Sequence, residues 1–449
     1  MAVTSSLSQK TIQGIADHLK SDHSHLVASS GNYFPFFVRD VNYCVSGFSD
    51  DSDGLDPDRR AMVRNAFSYY SNLLGVEFNE IVLTDKSSMQ DNTIHFRDNA
   101  FGAWARRIGP DSSGKGVINV FYGWDGYESA MDSYAWSTVI HEIGHSLGLG
   151  HGGYYNGNSV SWAGNTEIWN DTKLLTNMSY FHPNNGDGTK HDMEHSAITG
   201  SHINNATIMA ADYYALRDLY ASVVFVDAHS GHTTLGYNTN ISDASDPVWN
   251  QMIHNINNSR FFYTDNATSS YDTVDFSNFA NNQRIDLRVT TADMTDAYWS
   301  NIGGEVKNLA FADHSVFDRA IAGSGNDTLV ANYAGNDLFG LGGNDTLTGG
   351  AGIDHLHGGP DNDFLDGGLN NDHLYGGPGR DTFKVDIGLH FETIHDFTDG
   401  EDRILLGCGF SDVSISSSDG DAYVWKGSDL LARVDNAAGQ LQLQLDYLV

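Results

Sequence analysis

An α+β domain followed by an all-β domain of stacked short strands is the fold this sequence predicts, and three observations predict it. Helix caps and 3.6-residue apolar stripes alternate with β-branched runs up to about residue 221. Helical periodicity then vanishes, and from Gly323 an apolar residue returns at every ninth position as far as Phe383. At 449 residues the chain exceeds one ordinary hydrophobic core. The pattern divides it into an N-terminal segment 1–20, a mixed domain 21–221, a β-rich connecting part 222–320, the repeat 321–385 and a closing β region 386–449.

In the first domain Asp56 reads as an N-cap, Pro57 as the first helical residue and Gly75 as the stop. Met62, Ala66, Tyr70, Leu73 and Leu74 form the buried stripe between them. Strands are expected at Val76 to Leu83, Thr93 to Phe96 and Val117 to Tyr122, each rich in β-branched or aromatic residues. A second helix is expected from about Ser133 to Leu149, and a third from about Ala210 to Tyr220 closes the domain. In the connecting part, Thr273 to Phe276 and Arg284 to Leu287 alternate as short strands do. The repeat carries Leu329, Leu338, Leu347, Leu356, Leu365, Leu374 and Phe383 in register, which a flexible linker has no reason to keep. Apolar runs at Ile404 to Leu406, Val413 to Ile415 and Leu441 to Leu445 then cap the open end.

Charge narrows the function. Against 24 Lys+Arg stand 58 Asp+Glu, a net charge of -34 that repels phosphate backbones and anionic membrane surfaces and excludes nucleic acid as a partner. Such an excess of carboxylates suits calcium, a hard cation that takes oxygen ligands. No run of about 18 apolar residues provides a membrane span, and Met1 to Lys20 lacks the apolar core of a signal peptide. The two cysteines, Cys44 and Cys408, fall in different domains and read as buried thiols.

The chemistry lies on the second helix. Its rotation of about 100° per residue points His141 and His145, four apart, at one spot, while Trp136, Val139, Ile140, Ile143 and Leu147 face the other way. Glu142 sits beside the histidines, placed to take a proton from a metal-activated water. Gly148 tolerates the positive φ that lets the chain turn out of the helix and bring His151 round. Three nitrogen ligands with one open position describe a catalytic zinc site; four protein ligands would describe a closed structural one.

His141-Glu-x-x-His-x-x-Gly-x-x-His151 resembles the metzincin signature. Met178-Ser179-Tyr180, 27 residues after His151, resembles the Met-turn of serralysins, peptidase family M10B. The resemblance implies an α+β metzincin catalytic domain with one zinc on His141, His145 and His151. It implies Met178 as an apolar floor beneath the metal and Tyr180 as a displaceable fifth ligand that stabilises the oxyanion. Met209 reads as core, since no Ser-Tyr follows it, and His182, His191, His195 and His202 read as solvated loop residues. The implied activity is zinc-dependent hydrolysis of peptide bonds in proteins, with broad preference. Substrate would lie extended along an edge strand at Phe101 to Ile108.

The units of form Gly-Gly-x-Gly-x-Asp-x-U-x, clearest at Gly349 to Leu356, resemble the RTX repeat, which implies a parallel β-roll binding several structural calcium ions. The implied ligands are Gly323, Gly325, Asp327, Asn336, Gly343, Asp345, Gly350, Gly352, Asp354, Gly359, Asp361, Asp363, Gly368, Asp372, Gly377, Gly379 and Asp381. Asn336 replaces one aspartate, with Asp337 displaced by one position, and Asp361, Asn370 and Arg380 interrupt the glycine pattern. The final Asp446-Tyr447-Leu448-Val449 resembles the C-terminal signal read by the type I (ABC) exporter of Gram-negative bacteria, which implies a secreted, extracellular protein. The family further implies a short propeptide within residues 1–20, protein substrates, a periplasmic protein inhibitor and a monomeric state. The rival reading is a calcium-dependent binding or adhesion protein with an inactive protease domain; intact Glu142 and Tyr180 speak against it.

Overall fold

A computed structural model describes residues 10–21, 40–47, 54–83, 88–89, 92–100, 103–107, 116–120, 133–151, 172–179, 204–220, 232–242, 246–256, 259–264, 271–294, 297–388, 390–407, 411–444 and 447–448. Two compact units divide them. The first draws on Met1–Ala228, Ser242–Asn266 and Thr290–Ala297, the second on His229–Ile241, Ala267–Val289 and Tyr298–Val449. Segments 242–266 and 290–297 thus pack with the first unit, although their short polar runs read as part of the connecting β region.

The first unit holds a five-stranded sheet of β1 (Asp40–Cys44), β2 (Glu77–Glu80), β3 (Thr93–Arg97), β4 (Ala103–Arg107) and β5 (Gly116–Val120), in the order β2-β1-β3-β5-β4. All pairings are parallel except that of β4, which runs antiparallel along β5 and forms one edge. Cys44 is a buried free thiol, and Cys408 lies outside the described residues.

Four helices matter to the site. α1 (Ile12–Ser21) spans the second half of the N-terminal segment and its boundary with the mixed domain. α2 (Pro57–Leu74) begins at Asp56, whose carboxylate accepts the amides of Asp58 and Arg59, and ends at Gly75 with φ 63°. α3 (Tyr134–Ser146) begins at Ser133, whose Oγ accepts the Trp136 amide at 3.0 Å. Trp136 is fully buried, and its indole N–H donates to the Ala206 carbonyl at 2.7 Å. Tyr70 of α2 donates its hydroxyl to the Ile140 carbonyl at 2.8 Å, pinning α3 at mid-length. α4 (Ala210–Leu219) is capped by its own Asp212, whose carboxylate accepts the Met209 amide at 3.0 Å.

In the second unit each nine-residue period is one strand and one turn, and successive strands enter opposite sheets. Leu329, Leu347, Leu365, Phe383 and Ile404 align in one parallel sheet, and Val274, Ala320, Leu338, Leu356, Leu374 and Ile394 in the other. All of these side chains are fully buried. The same stacking reaches beyond the regular repeat, to Thr273–Asp275 and Arg284–Asp286 before it and Glu392–Ile394 and Arg403–Leu406 after it. Val413–Ser418, Asp421–Lys426 and Asp429–Val434, antiparallel to one another and joined in parallel to Glu392–Ile394, complete one sheet end, and the antiparallel Leu443–Gln444 and Tyr447–Leu448 complete the other. Leu356→Ala is expected to cost about 2–5 kcal/mol, because the narrow interior between the sheets cannot collapse around the void. A lowered denaturant midpoint measures it.

Candidate metal centre

α3 delivers His141 and His145 one turn apart, and Leu147 ends the helix before Gly148 turns at φ 109° and returns the chain toward the same point. His145 Nε2 and His151 Nε2 stand 3.0 Å apart, and one ligand atom from each of the three histidines lies within 4.8 Å of the others. Among the described residues this is the one such group of three. The imidazoles are held from behind: His141 Nδ1 bonds the Asn177 carbonyl and His145 Nδ1 the Leu149 carbonyl, each at 2.8 Å. With Nδ1 carrying the proton, Nε2 is left with its lone pair, the form a metal takes. Burial holds both His141 and His145 below the ordinary imidazole range, His145 at about 4, so both are neutral at pH 7. His145 and His151 are only 3% and 4% exposed, while His141 is half-buried, so the triad opens outward at His141.

Glu142 is 5% exposed, with its Oε2 lacking a hydrogen-bond partner among the described residues. The Ala105 amide of β4 bonds the carboxylate, which places the open edge of the sheet beside it. Burial pushes the Glu142 carboxyl up to about 8, and that amide bond lowers it only partly. A cation at the histidines would favour the ionised form.

Met178 is buried beside the helix. A Cβ built on Gly144 would lie 3.1 Å from its Sδ, so the small residue between the two histidines gives the thioether its room. Asp212 holds this turn. Its carboxylate accepts Thr176 Oγ1 and the Asn177 amide, each at 2.5 Å, while the Met178 amide bonds Thr176 Oγ1 at 3.0 Å. Burial raises the Asp212 carboxyl to about 6 against the pull of these bonds. Neither Asp212 nor Asn177 was visible as a site residue in the sequence. Only a capping-box spacing before α4 marks the aspartate, and it says nothing of the distant turn that Asp212 holds. Tyr180, His182, His191, His195, His202, Phe101 and Ile108 lie outside the described residues. Of the proposed substrate edge, 103–107 is β4.

The turns of the second unit form a second set of acidic groups. Asp327, Asp345 and Asp363 each donate a backbone amide to the carboxylate 18 residues on, at 2.7–2.9 Å, as do Asn336 and Asp354 on the opposite side. The second oxygen of Asp345, Asp354, Asp363, Asp372 and Asp381 is buried with no partner among the described residues, and so is Oε2 of Glu392. Each points under a glycine: a Cβ on Gly376 would meet Asp381 Oδ2 at 2.3 Å, and one on Gly367 would meet both Asp372 and Glu392. Buried, inward-facing carboxylate oxygens among glycine turns fit a hard, oxygen-binding cation. Glu392 lies past the regular repeat, which is why the nine-residue pattern did not mark it.

Asn336 keeps the turn position, donating Nδ2 to the Phe317 carbonyl, while Asp337 faces outward to Arg319 at 3.1 Å and His355 at 3.0 Å. Asp361 and Asn370 stand where glycine is expected and adopt φ 85° and 81°, a region that short polar side chains reach more readily than most.

The family model described as Peptidase M10 serralysin C terminal matches residues 225–447. A serralysin of Photorhabdus luminescens is 32% identical over 211 residues, 46% of this chain and 38% of that protein. A serralysin of Proteus mirabilis is 27% identical over 297 residues, 61% of this chain and 54% of that protein. Metallopeptidase AprA of Pseudomonas marginalis is 27% identical over 306 residues, 65% of this chain and 57% of that protein. The chain spans between 38% and 57% of the length of these relatives.

Proposed function

We propose, from the premise that this chain belongs to the serralysin family of M10 peptidases, that it is a secreted zinc endopeptidase stabilised by calcium. The observation that carries the reading is the convergence of three imidazoles on one point beside a glutamate oxygen that has no hydrogen-bond partner among the described residues. Neutral nitrogen donors, two of them fixed through their far nitrogens by carbonyls, fit zinc.

His141, His145 and His151 would hold the ion, with Met178 as an apolar floor. When bound, zinc supplies Lewis acidity, which makes water a usable nucleophile near neutral pH and polarises the scissile carbonyl. Glu142 Oε2 takes the proton of the attacking water and returns it to the departing amine. The open edge of β4 takes the substrate backbone in extended form, with the Ala105 amide anchoring the glutamate beside it. By resemblance Tyr180 supports the oxyanion. In the second unit, the Asp327 to Asp381 carboxylates and glycine carbonyls enclose calcium between turns of a parallel β-roll, with Glu392 closing the last turn. The 1–20, 21–221, 222–320, 321–385 and 386–449 division, export by a type I apparatus, protein substrates and a monomeric state belong to the same reading. No described helix is long and apolar enough to cross a membrane.

Casein hydrolysis tests it: a zinc chelator is expected to abolish turnover and added zinc to restore it, whereas chelator-insensitive hydrolysis, or none at all, contradicts it. Asp212→Asn is expected to weaken zinc binding by about 10–100-fold, because an NH2 replaces one of the two carboxylate oxygens that hold the turn presenting the Asn177 carbonyl to His141. Chelator competition measures the change.

A further inference from the structure

We infer that the N-terminal helix α1 positions the third metal ligand, so that helix docking and metal binding at the histidines strengthen one another. The inference rests on the zinc reading of the triad.

His141 and His145 are fixed by α3, but His151 hangs on the four residues that follow Leu147. Besides the turn bonds from the Gly148 and Leu149 amides back to the His145 and Gly144 carbonyls, three bonds hold that loop. His145 Nδ1 meets the Leu149 carbonyl at 2.8 Å, and Tyr220, at the end of α4, donates its hydroxyl to the Leu147 carbonyl at 3.2 Å. The third comes from α1: the Gly150 amide, adjacent to His151, donates to the Leu19 carbonyl at 2.7 Å. Leu19 lies in the last turn of α1, where helical carbonyls have no partner within the helix and carry the negative end of its dipole. The loop amide satisfies one of them.

α1 is anchored well enough to serve as a fixed point. Ile12, Ile15, Ala16 and Leu19 are fully buried along one face. The amides of Ile12 and Gln13 donate to the carbonyls of Met294 and Ala292 at 2.6 and 2.7 Å. On α4, Asp218 receives Lys20 Nζ at 2.6 Å and Gln13 Nε2 at 3.0 Å. The same helix that carries Tyr220 therefore seats α1, and the two grip the ligand loop together. Removal of residues 12–21 with a propeptide would take this support away, so any processing that leaves an active enzyme cuts before Ile12.

Linkage makes the test independent of activity. If docked α1 raises zinc affinity, zinc must raise the docking equilibrium of α1 by the same factor. Hydrogen exchange on the calcium-loaded full chain, with and without zinc, is expected to show about 10–100-fold greater protection of the 12–21 amides and Gly150, the range for partners that orient a metal's ligands. Protection across 328–385 should stay unchanged. Equal protection of α1 in both states overturns the inference, and a chain that binds no zinc overturns the zinc reading instead. As a second arm, Gly150→Pro removes the donor and Leu19→Ala loosens the helix. Each is expected to weaken zinc by about 10-fold or more in chelator competition and to alter the visible bands of the cobalt-substituted site. Wild-type affinity and bands in a folded variant contradict it.

Discussion

Glu142→Gln is expected to lower kcat by about 10²–10⁴-fold, the contribution of a placed general base, while zinc content stays at one per chain. The amide keeps the shape of the side chain, and Ala105 retains an oxygen acceptor. What disappears is the group that accepts the proton. Because burial already holds the Glu142 carboxyl high, at about 8 with no cation beside it, removing its charge should not lower the melting temperature of the zinc-free chain. Steady-state kinetics beside metal analysis separates the cases. A variant that keeps near wild-type kcat removes Glu142 from the mechanism, and one that loses zinc makes it a structural residue.

Calcium removal is the second large effect. Extracellular calcium modules bind at about 10⁻⁴–10⁻³ M, so a calcium chelator is expected to lower sharply the melting temperature of the strands from Thr328 to Val385, read by circular dichroism. The pH dependence has a defined sign. Burial pushes Asp345 and Asp354 up to about 8, Asp381 to about 7, Asp363 and Asp372 to about 6 and Glu392 to about 9. A carboxyl raised on folding contributes stability that is whole below its ordinary range and is lost as pH rises through the raised value. The calcium-free repeat should therefore melt at progressively lower temperature between about pH 5 and 9. Calcium, competing with those protons, should bind more tightly across the same window. A calcium-free melting temperature that is flat or rising with pH contradicts the buried-carboxylate account.

Much of the fold and of the site is legible in the sequence. Asp56, Pro57 and Gly75 act locally, through caps that do not depend on distant residues, and α2 begins and ends where they place it. The two histidines four apart and the positive-φ Gly148 likewise carry their geometry in their spacing. The nine-residue register was plain because every period buries the same apolar position. What sequence could not supply is contact across long separations. Asp212 reaches back 35 residues to the Asn177 amide, and Leu19 reaches forward to Gly150; neither leaves a period or a motif. The strands at Thr273–Asp275 and Arg284–Asp286 join the same sheets as the repeat, but irregular insertions between them hide the register. Glu392 escaped for the same reason, arriving 20 residues after Asp372 where the repeat steps by 18.

The central claim is that three imidazole nitrogens share one ion. Metal analysis of the purified, calcium-loaded chain beside its His145→Ala variant tests it most directly. One zinc per wild-type chain, lost in the variant while calcium content and the repeat's melting temperature stay unchanged, is the predicted result. No zinc in the wild type, or zinc held as tightly without His145, would contradict it.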